Sequence, residues 1–234
     1  MPLAGLELGF GLWLLLVAWG AFVGLDAVSW PQIMVSRPIV AGTVGGLVFG
    51  HPESGFLAGA FLEFISFRHP PYGAARYPEV GPAALVAGAA YGSAGGVGVF
   101  PLLFVLLAGW VIGWIGEHSI HRLRVFNGWL VGDPAVAAAS GRTLLRRHRW
   151  AMRLDGLRAA AITAAFLVPV ALGARFAAAV EGGAIGARWT VPLAIIGMAG
   201  LAGAGARGLG TEARRWPLLA AGVLAGIAVG ALRV

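Results

Sequence analysis

An acidic residue stands in the middle of an apolar run in the first third of the chain. Glu63 lies within residues 55–67, GFLAGAFLEFISF, which carry no other charge. A carboxylate facing lipid there would cost a few kcal/mol or more, so an acid in such a run indicates a polar cavity with a function. A carboxylate can accept hydrogen bonds from two hydroxyl groups, which suits a neutral sugar or polyol in an otherwise dry site. We therefore predict that Glu63 binds a polyhydroxyl ligand.

Further polar residues stand in two broken stretches on either side of the apolar segments. The stretch FRHPPYGAARYPE, at the end of the apolar run that contains Glu63, includes prolines and a glycine. These residues interrupt regular helix, so backbone groups become available to bind a ligand. The predicted substrate-binding residues besides Glu63 are Asp26, Gln32, His69, Arg76 and Glu79. Structural roles remain open for some of them, since Asp26 can cap a turn and Arg76 can pair with Glu79 three residues away. Arg37, directly before a proline, fits the anchor of a helix end.

The sequence contains no convincing catalytic or metal centre. It has no cysteine, which excludes a thiol nucleophile, disulfides and thiolate metal sites. The glycine-rich run AGTVGGLVFG lacks the lysine of a phosphate-binding loop, and the serines lack nearby histidine and aspartate partners. His118 and His121 lie beside Glu117 without a fourth ligand near them, so a polar helix face is the better interpretation. We predict no catalytic residue, metal or cofactor, and we do not expect the chain to be an enzyme on its own.

Composition places these residues in a membrane. The 234 residues are 59% hydrophobic and 12% charged, with a mean hydropathy of +0.82, whereas soluble domains carry about 25% charged residues. A soluble protein of this size needs a charged outer surface, while lipid requires apolar surface and internally satisfied backbone. Much of the net charge of +7 lies in the middle of the chain between apolar segments. The positive-inside rule explains that charge better than binding to nucleic acid does.

The predicted fold is all-α: a polytopic membrane protein with full spans, a short re-entrant helical hairpin and interfacial amphipathic helices. One membrane domain, residues 1–234, divides into a first span in 1–25, a hairpin-containing core in 26–116, a basic cytoplasmic or interfacial segment in 117–158, and three further spans in 159–234. The first span lacks a basic start and a cleavage motif, so we expect it to be retained. The last three spans are expected near residues 159–174, 189–206 and 216–232, and a helix break is expected at Pro101.

Two apolar pieces in the core are too short to cross a bilayer. Residues 38–50 and 55–67 each reach about 20 Å at a rise of 1.5 Å per residue, against a hydrocarbon core of about 30 Å. The connection at residues 51–54 would let them fold back on each other as a hairpin. Glycines recur at four-residue spacing on the two pieces: Gly42, Gly46, Gly50, Gly55 and Gly59. Such spacing favours close backbone contact between helices.

The motifs of this core resemble those of a known membrane family. Their order is Asp26, Arg37-Pro38, Gly50-x4-Gly55, Leu62-Glu63, and Gly73-Ala74-Ala75 followed by Pro78-Glu79. An acid, RPL, a helix ending G-D-x4-G, an LE-x-I-A helix and N-x-GAA before P-D are typical of the membrane IIC subunit of mannose-family phosphotransferase systems (PTS). The resemblance is close over the first third of the chain, and the rest agrees in span layout and in a basic central loop. His51 and Pro71 depart from the family's acid and asparagine, which leaves the sugar open.

The resemblance implies a sugar-translocating IIC permease subunit in the bacterial inner membrane. Subunits of this family work with a IID membrane subunit in a trimeric assembly and hold a hexose or related sugar, with the acid of the LE motif, here Glu63, at the sugar. A separate IIB protein phosphorylates the sugar, so no histidine of this chain is expected to carry phosphate. The implied partners are the sugar, the IID subunit, the IIA and IIB phosphocarriers, a homotrimer of IIC subunits and the lipid bilayer.

Two other functions remain open from the residues alone. An ion-coupled secondary transporter would use Glu63 as a protonation site, and uptake driven by a proton gradient without a phosphoryl donor would indicate it. A degenerate subunit would act as a membrane scaffold or regulator, and tight assembly without a measurable ligand would indicate that role.

Overall fold

The computed structural model describes residues 9–66, 76–132, 141–183 and 190–192, and every regular element in these ranges is helical. The principal helices are α1 (Phe10–Val28), α2 (Pro38–Leu47), α3 (Pro52–Ser66), α4 (Val80–Ser93), α5 (Val99–Val131) and α6 (Gly141–Glu181). By length and composition, α1, α5 and α6 can each cross a membrane, which confirms the predicted all-α fold with full spans. The predicted spans near residues 189–206 and 216–232 lie outside the described residues, apart from the short helical piece at 190–192.

Helix α4 lies at the centre of the molecule. It contacts α1, α2, α3, α5 and α6, and all of its residues from Gly81 to Gly92 are buried. Its sequence is mostly glycine and alanine, so neighbouring helices can approach its backbone closely. The hydrophobic core is therefore built around a thin helix rather than around large side chains.

Helices α2 and α3 form the predicted hairpin and pack through glycines. A Cβ atom on Gly42 would lie 2.6 Å from the carbonyl oxygen of Gly55 and 2.9 Å from the Cα of Gly59. A Cβ atom on Gly46 would lie 2.8 Å from the Cα of Gly55. The predicted glycine contact is confirmed at these four positions. Gly50 differs, because it lies in the turn after α2 with a φ of +78° and no atom near its missing side chain.

The turn of the hairpin is placed slightly earlier than predicted. Helix α3 begins at Pro52, so residues 48–51 make the connection instead of 51–54. Proline fits the first turn of a helix because no intrahelical partner exists there for an N–H. Ser54 consequently lies within α3, where its hydroxyl donates to the carbonyl of Gly96 at 2.8 Å and ties the hairpin tip to the loop after α4.

The break between α4 and α5 precedes the predicted position at Pro101. It falls at residues 94–98, where Gly95, Gly96 and Gly98 have φ values of +94°, +67° and +100°. Glycine adopts such angles at little cost. Pro101 is instead the third residue of α5, where its missing N–H removes no helical hydrogen bond. The break is real, but the glycines and not the proline produce it.

Residues 117–158 differ from the predicted set of separate interfacial helices. Helix α5 continues to Val131 and α6 begins at Gly141, so the two helices are about 50 and 60 Å long. The basic residues lie on extensions of two long helices that contact each other. No proline or glycine pair interrupts the chain where α5 leaves its apolar half at Glu117. The predicted span at residues 159–174 lies inside α6.

The short helices α2, α3 and α4 run side by side, and their ends lie at two levels of the molecule. At one level Ser36, just before α2, contacts Gly81 at the start of α4, and at the other Phe49 approaches Gly92 near the end of α4. Helices α2 and α4 therefore run in the same direction, and α3 returns between the same levels. We call the end at Ser36 and Gly81 the polar end, because buried charged residues collect there.

Candidate functional site

Glu63 closes the base of the hairpin at the polar end. Its side chain is 10% exposed and reaches from α3 to the start of α2. One oxygen, Oε1, accepts a hydrogen bond from the guanidinium of Arg37, and the other, Oε2, accepts one from the backbone N–H of Ile39 at 3.0 Å. Pro38 has no N–H, so Ile39 carries the first free donor of α2, and a helix start favours negative charge. Glu63 thus fastens α3 to the beginning of α2.

Asp26 orders the loop between α1 and α2. It is 2% exposed. Its Oδ1 atom accepts a hydrogen bond from the N–H of Ile33 at 2.6 Å, and Oδ2 accepts one from the N–H of Ser36 at 2.9 Å. This is the turn role that the sequence left open. Gln32, another predicted binding residue, lies exposed in the same loop with a φ of +60°, so the structure does not bring it to the buried groups.

Glu79, Asp155 and Arg158 form a buried ion cluster at the polar end. Arg158 donates two hydrogen bonds to the two oxygens of Glu79 at 2.5 and 2.6 Å. It also donates to Asp155 Oδ1 at 2.9 Å and to the Ser119 hydroxyl at 3.0 Å. The hydroxyl of Ser29, at the end of α1, donates to Asp155 Oδ2 at 2.6 Å. The cluster therefore joins α1, the start of α4, α5 and α6.

Glycines on the neighbouring helices leave room for the Glu79 carboxylate. A Cβ atom on Gly116 of α5 would lie 2.6 Å from the Cβ of Glu79. A Cβ atom on Gly24 of α1 would lie 3.4 Å from Glu79 Oε1. Glycine at both positions lets the acid sit between α1 and α5 without displacing either helix.

Hydrogen bonds and short stretches of chain connect these groups into one continuous arrangement. Ser36, the donor to Asp26, directly precedes Arg37, and Asp26 lies one helical turn before Ser29. From the hairpin to α6 the members are Glu63, Arg37, Ser36, Asp26, Ser29, Asp155, Arg158 and Glu79. We call this set the polar layer. It brings together three of the predicted binding residues, Asp26, Glu63 and Glu79.

The remaining predicted residues lie elsewhere. Arg76 is exposed, and its guanidinium donates to Nε2 of His121 on α5 at 3.1 Å. The alternative in which Arg76 pairs with Glu79 is therefore not what the structure shows, since Glu79 pairs with Arg158. His69 lies outside the described residues.

Asp155 and Arg158 are members of the polar layer that sequence reasoning missed. Both lie in the basic segment 117–158, where the sequence does not distinguish Arg158 from the other arginines. The signal that was present is an acid and an arginine three residues apart, directly before the apolar run AAAITAAFLVPVALG. That spacing puts both side chains on one helix face at the end of a span.

Among the charged side chains of the polar layer, that of Arg37 is the most exposed. The side chain of Arg37 is 49% exposed beside Glu63. Arg158 and Glu79 are 10% and 2% exposed, and their bidentate pairing uses both carboxylate oxygens. The geometry thus separates an accessible arginine beside a largely buried acid at the hairpin from a buried ion cluster that holds helices together.

Comparison with known proteins supplies the family. The model of the family described as PTS system sorbose-specific IIC component matches residues 11–197. A curated relative, the PTS system sorbose-specific EIIC component of Lacticaseibacillus casei, is 32% identical over 66 residues, which are 28% of this chain and 24% of the relative. The aligned stretch thus spans about a quarter of that relative's length. Because the family match takes in most of the chain and every helix that contributes to the polar layer, the chain belongs to the sorbose-specific IIC component family of the mannose-type PTS.

Proposed function

We propose that the chain is the sugar-translocating IIC permease subunit of a mannose-type PTS. In this role it binds a hexose or related sugar within the membrane, and a separate IIB protein phosphorylates that sugar. The observation that carries the proposal is the family match across residues 11–197, which contains the hairpin and Glu63. The relative from Lacticaseibacillus casei is named for sorbose, which makes sorbose one of the sugars to test.

The contacts of Glu63 support a role in holding hydroxyl groups. An ionised carboxylate has about four lone-pair positions, and the described contacts use one on each oxygen. The positions that remain can accept hydrogen bonds from a sugar. The fixed donors, Arg37 and the Ile39 N–H, hold the carboxylate in one orientation, which lowers the entropy cost of binding.

The surface of the long helices supports assembly in a bilayer. Large apolar side chains are exposed on α5 and α6: Leu107, Trp110, Trp114, Leu172 and Phe176. Exposed apolar side chains of this size suit lipid or neighbouring membrane subunits. The proposed partners are a IID subunit, further IIC copies in a homotrimer, and the IIA and IIB phosphocarriers, and the proposed location is the bacterial inner membrane. In this assembly the chain has no phospho-acceptor of its own.

Substitution of Glu63 tests the proposal. We expect Glu63→Gln and Glu63→Ala to reduce sugar import about tenfold or more in cells that also express the IIA, IIB and IID partners, because a charged hydrogen-bond acceptor is lost at the sugar. The matched control is Glu53→Gln on the same helix, since the Glu53 side chain is 72% exposed and its ion pair within the described residues is with His51 at 3.5 Å. Membrane fractions should contain equal amounts of all variants.

Three results would separate the alternative functions. Import by Glu63→Gln equal to the unsubstituted chain would refute the binding role of Glu63. Uptake into vesicles driven by a proton gradient, without any phosphoryl donor, would replace the proposal with ion-coupled transport. Stable assembly with IID but no sugar binding by the unsubstituted complex would indicate a scaffold.

A further inference from the structure

We propose that Arg37 and Glu63 together bind two hydroxyl groups on neighbouring carbons of a neutral sugar, with Glu63 accepting from one hydroxyl and Arg37 donating to the other. This inference rests on the proposed function and names the second residue of the same site. From the sequence, a helix-end anchor was the favoured role of Arg37, and the contact with Glu63 is what changes that interpretation.

The pair presents a donor and an acceptor side by side. Guanidinium carries five N–H donors in a planar fork, and the Glu63 contact involves one of them, at Nη2. In a charge-assisted pair of this kind the nitrogen and oxygen lie about 2.8 Å apart. Two oxygens on neighbouring carbons of a sugar ring have a similar separation. One hydroxyl can therefore donate to the carboxylate while its neighbour accepts from the guanidinium.

Exposure favours a ligand at the pair of Arg37 and Glu63 over one at the Arg158 ion cluster. Half of the Arg37 side chain is exposed, while Glu63 is 10% exposed and is held from behind by the Ile39 N–H. A ligand can thus approach from the Arg37 side without breaking the bond between Glu63 and α2. Arg158 is the opposite case, since Glu79, Asp155 and Ser119 accept its hydrogen bonds within the protein.

The charges at the pair favour a neutral ligand. Arg37 and Glu63 neutralise each other, and the start of α2 adds a partial positive charge beside the carboxylate. An acidic ligand would meet Glu63, and an amino group would meet Arg37, so each would introduce a repulsive contact beside the pair. The chemistry that fits is a neutral vicinal diol, and not a sugar acid or an amino sugar.

Deoxy analogues test the inference. The sugar that the cells import is first identified among D-glucose, D-mannose, D-fructose and L-sorbose, and binding of its monodeoxy analogues to the membrane complex is then measured. We expect two neighbouring positions at which loss of the hydroxyl weakens binding about tenfold or more. Arg37→Met should remove discrimination at one of these positions, and Glu63→Gln should remove it at the other.

A second variant keeps the test clear of a folding defect. Arg37→Lys retains a positive charge for Glu63 but replaces the planar fork by a single ammonium group. We expect its melting temperature to stay near that of the unsubstituted chain while binding of the parent sugar weakens. Arg146→Met, on the exposed face of α6, is the control and should leave both hydroxyl preferences intact.

The outcomes distinguish this inference from the proposed function. Unchanged hydroxyl preferences in both Arg37 variants, with import still lost in Glu63→Gln, would overturn the inference and leave the proposed function standing. Sensitivity at two positions that are not neighbours would also overturn it. If the unsubstituted complex binds none of the four sugars, the proposed function fails and the inference fails with it.

Discussion

At the scale of single residues, Arg158 is the cation that holds the buried ion cluster of the polar end together. It lies between two buried carboxylates, Glu79 and Asp155, whose side chains are 2% and 3% exposed. Taking charges out of water costs several kcal/mol per ion, and only close pairing with good hydrogen bonds offsets that cost. The guanidinium of Arg158 pairs with both acids. Removing it should therefore leave both carboxylates without their cation.

Replacing Arg158 should therefore destabilise the protein strongly. We expect Arg158→Met to cost about 3–5 kcal/mol, because it leaves a buried carboxylate without its cation. Thermal unfolding of the purified protein in detergent measures the effect as a fall in melting temperature. The double variant Arg158→Met with Glu79→Met should recover part of the loss, since Glu79 no longer leaves an unpaired charge, while Asp155 still lacks its cation and keeps the hydrogen bond from Ser29.

Arg149→Met is the matched control for this prediction. Arg149 lies on the same helix, but it is exposed, so the substitution should change stability by less than about 0.5 kcal/mol. Equal melting temperatures for Arg158→Met and Arg149→Met would show that the ion cluster contributes nothing to stability.

The sequence predicted which acids matter better than it predicted their partners. Asp26, Glu63 and Glu79 stood out because each interrupts or borders an apolar run, and a charge there needs a partner. Their partners come from helices far along the chain, as with Glu79 and Arg158, which are 79 residues apart. No local pattern specifies such pairs, because they depend on how the helices pack.

At the scale of helices, close backbone contact within the hairpin leads to a second stability prediction. We expect Gly42→Ala to lower stability by about 1–3 kcal/mol, because its methyl group would overlap the backbone of α3 near Gly55 and Gly59. Thermal unfolding measures the change. The cost is expected because the obstacle is backbone, which cannot rotate away as a side chain can.

A glycine in open space provides the comparison. Gly128, near the end of α5, has no atom within 4 Å of a Cβ built on it. Gly128→Ala should leave stability unchanged or raise it by about 0.5–1 kcal/mol, since alanine favours a helix over glycine. Equal changes in stability at the two positions would contradict the prediction that contact between α2 and α3 sets the cost at Gly42.

Helix identity was more predictable than helix ends. Apolar runs of different length specified the spans and the hairpin, and four-residue glycine spacing predicted which faces touch. The end of α4 was misplaced because Pro101 was expected to break a helix that it instead helps to begin. The continuity of α5 beyond Glu117 was missed because a change from apolar to basic residues alters the surroundings of a helix without ending it.

At the scale of the whole molecule, the absence of cysteine allows a direct test of orientation. We expect residues 117–158 to face the cytoplasm, because arginines are concentrated there. A single cysteine at Arg146, on the extension of α6, should react in intact cells only with a thiol reagent that crosses the membrane. A cysteine at Val97, which is 72% exposed in the loop between α4 and α5, should react with an impermeant reagent added outside. Reaction of both with the impermeant reagent would contradict the predicted orientation.

The shortness of three central helices has a further consequence for anything charged that passes between them. Helices α2, α3 and α4 are 10, 15 and 14 residues long, so they cover only about 15 to 22 Å, whereas the surrounding bilayer has a core of about 30 Å. If water fills the remaining depth, the membrane voltage falls across that shorter distance, and the electric field there is steeper than in the lipid around it. A neutral cargo would cross this zone without electrical work, while a charged cargo would couple its movement to the voltage.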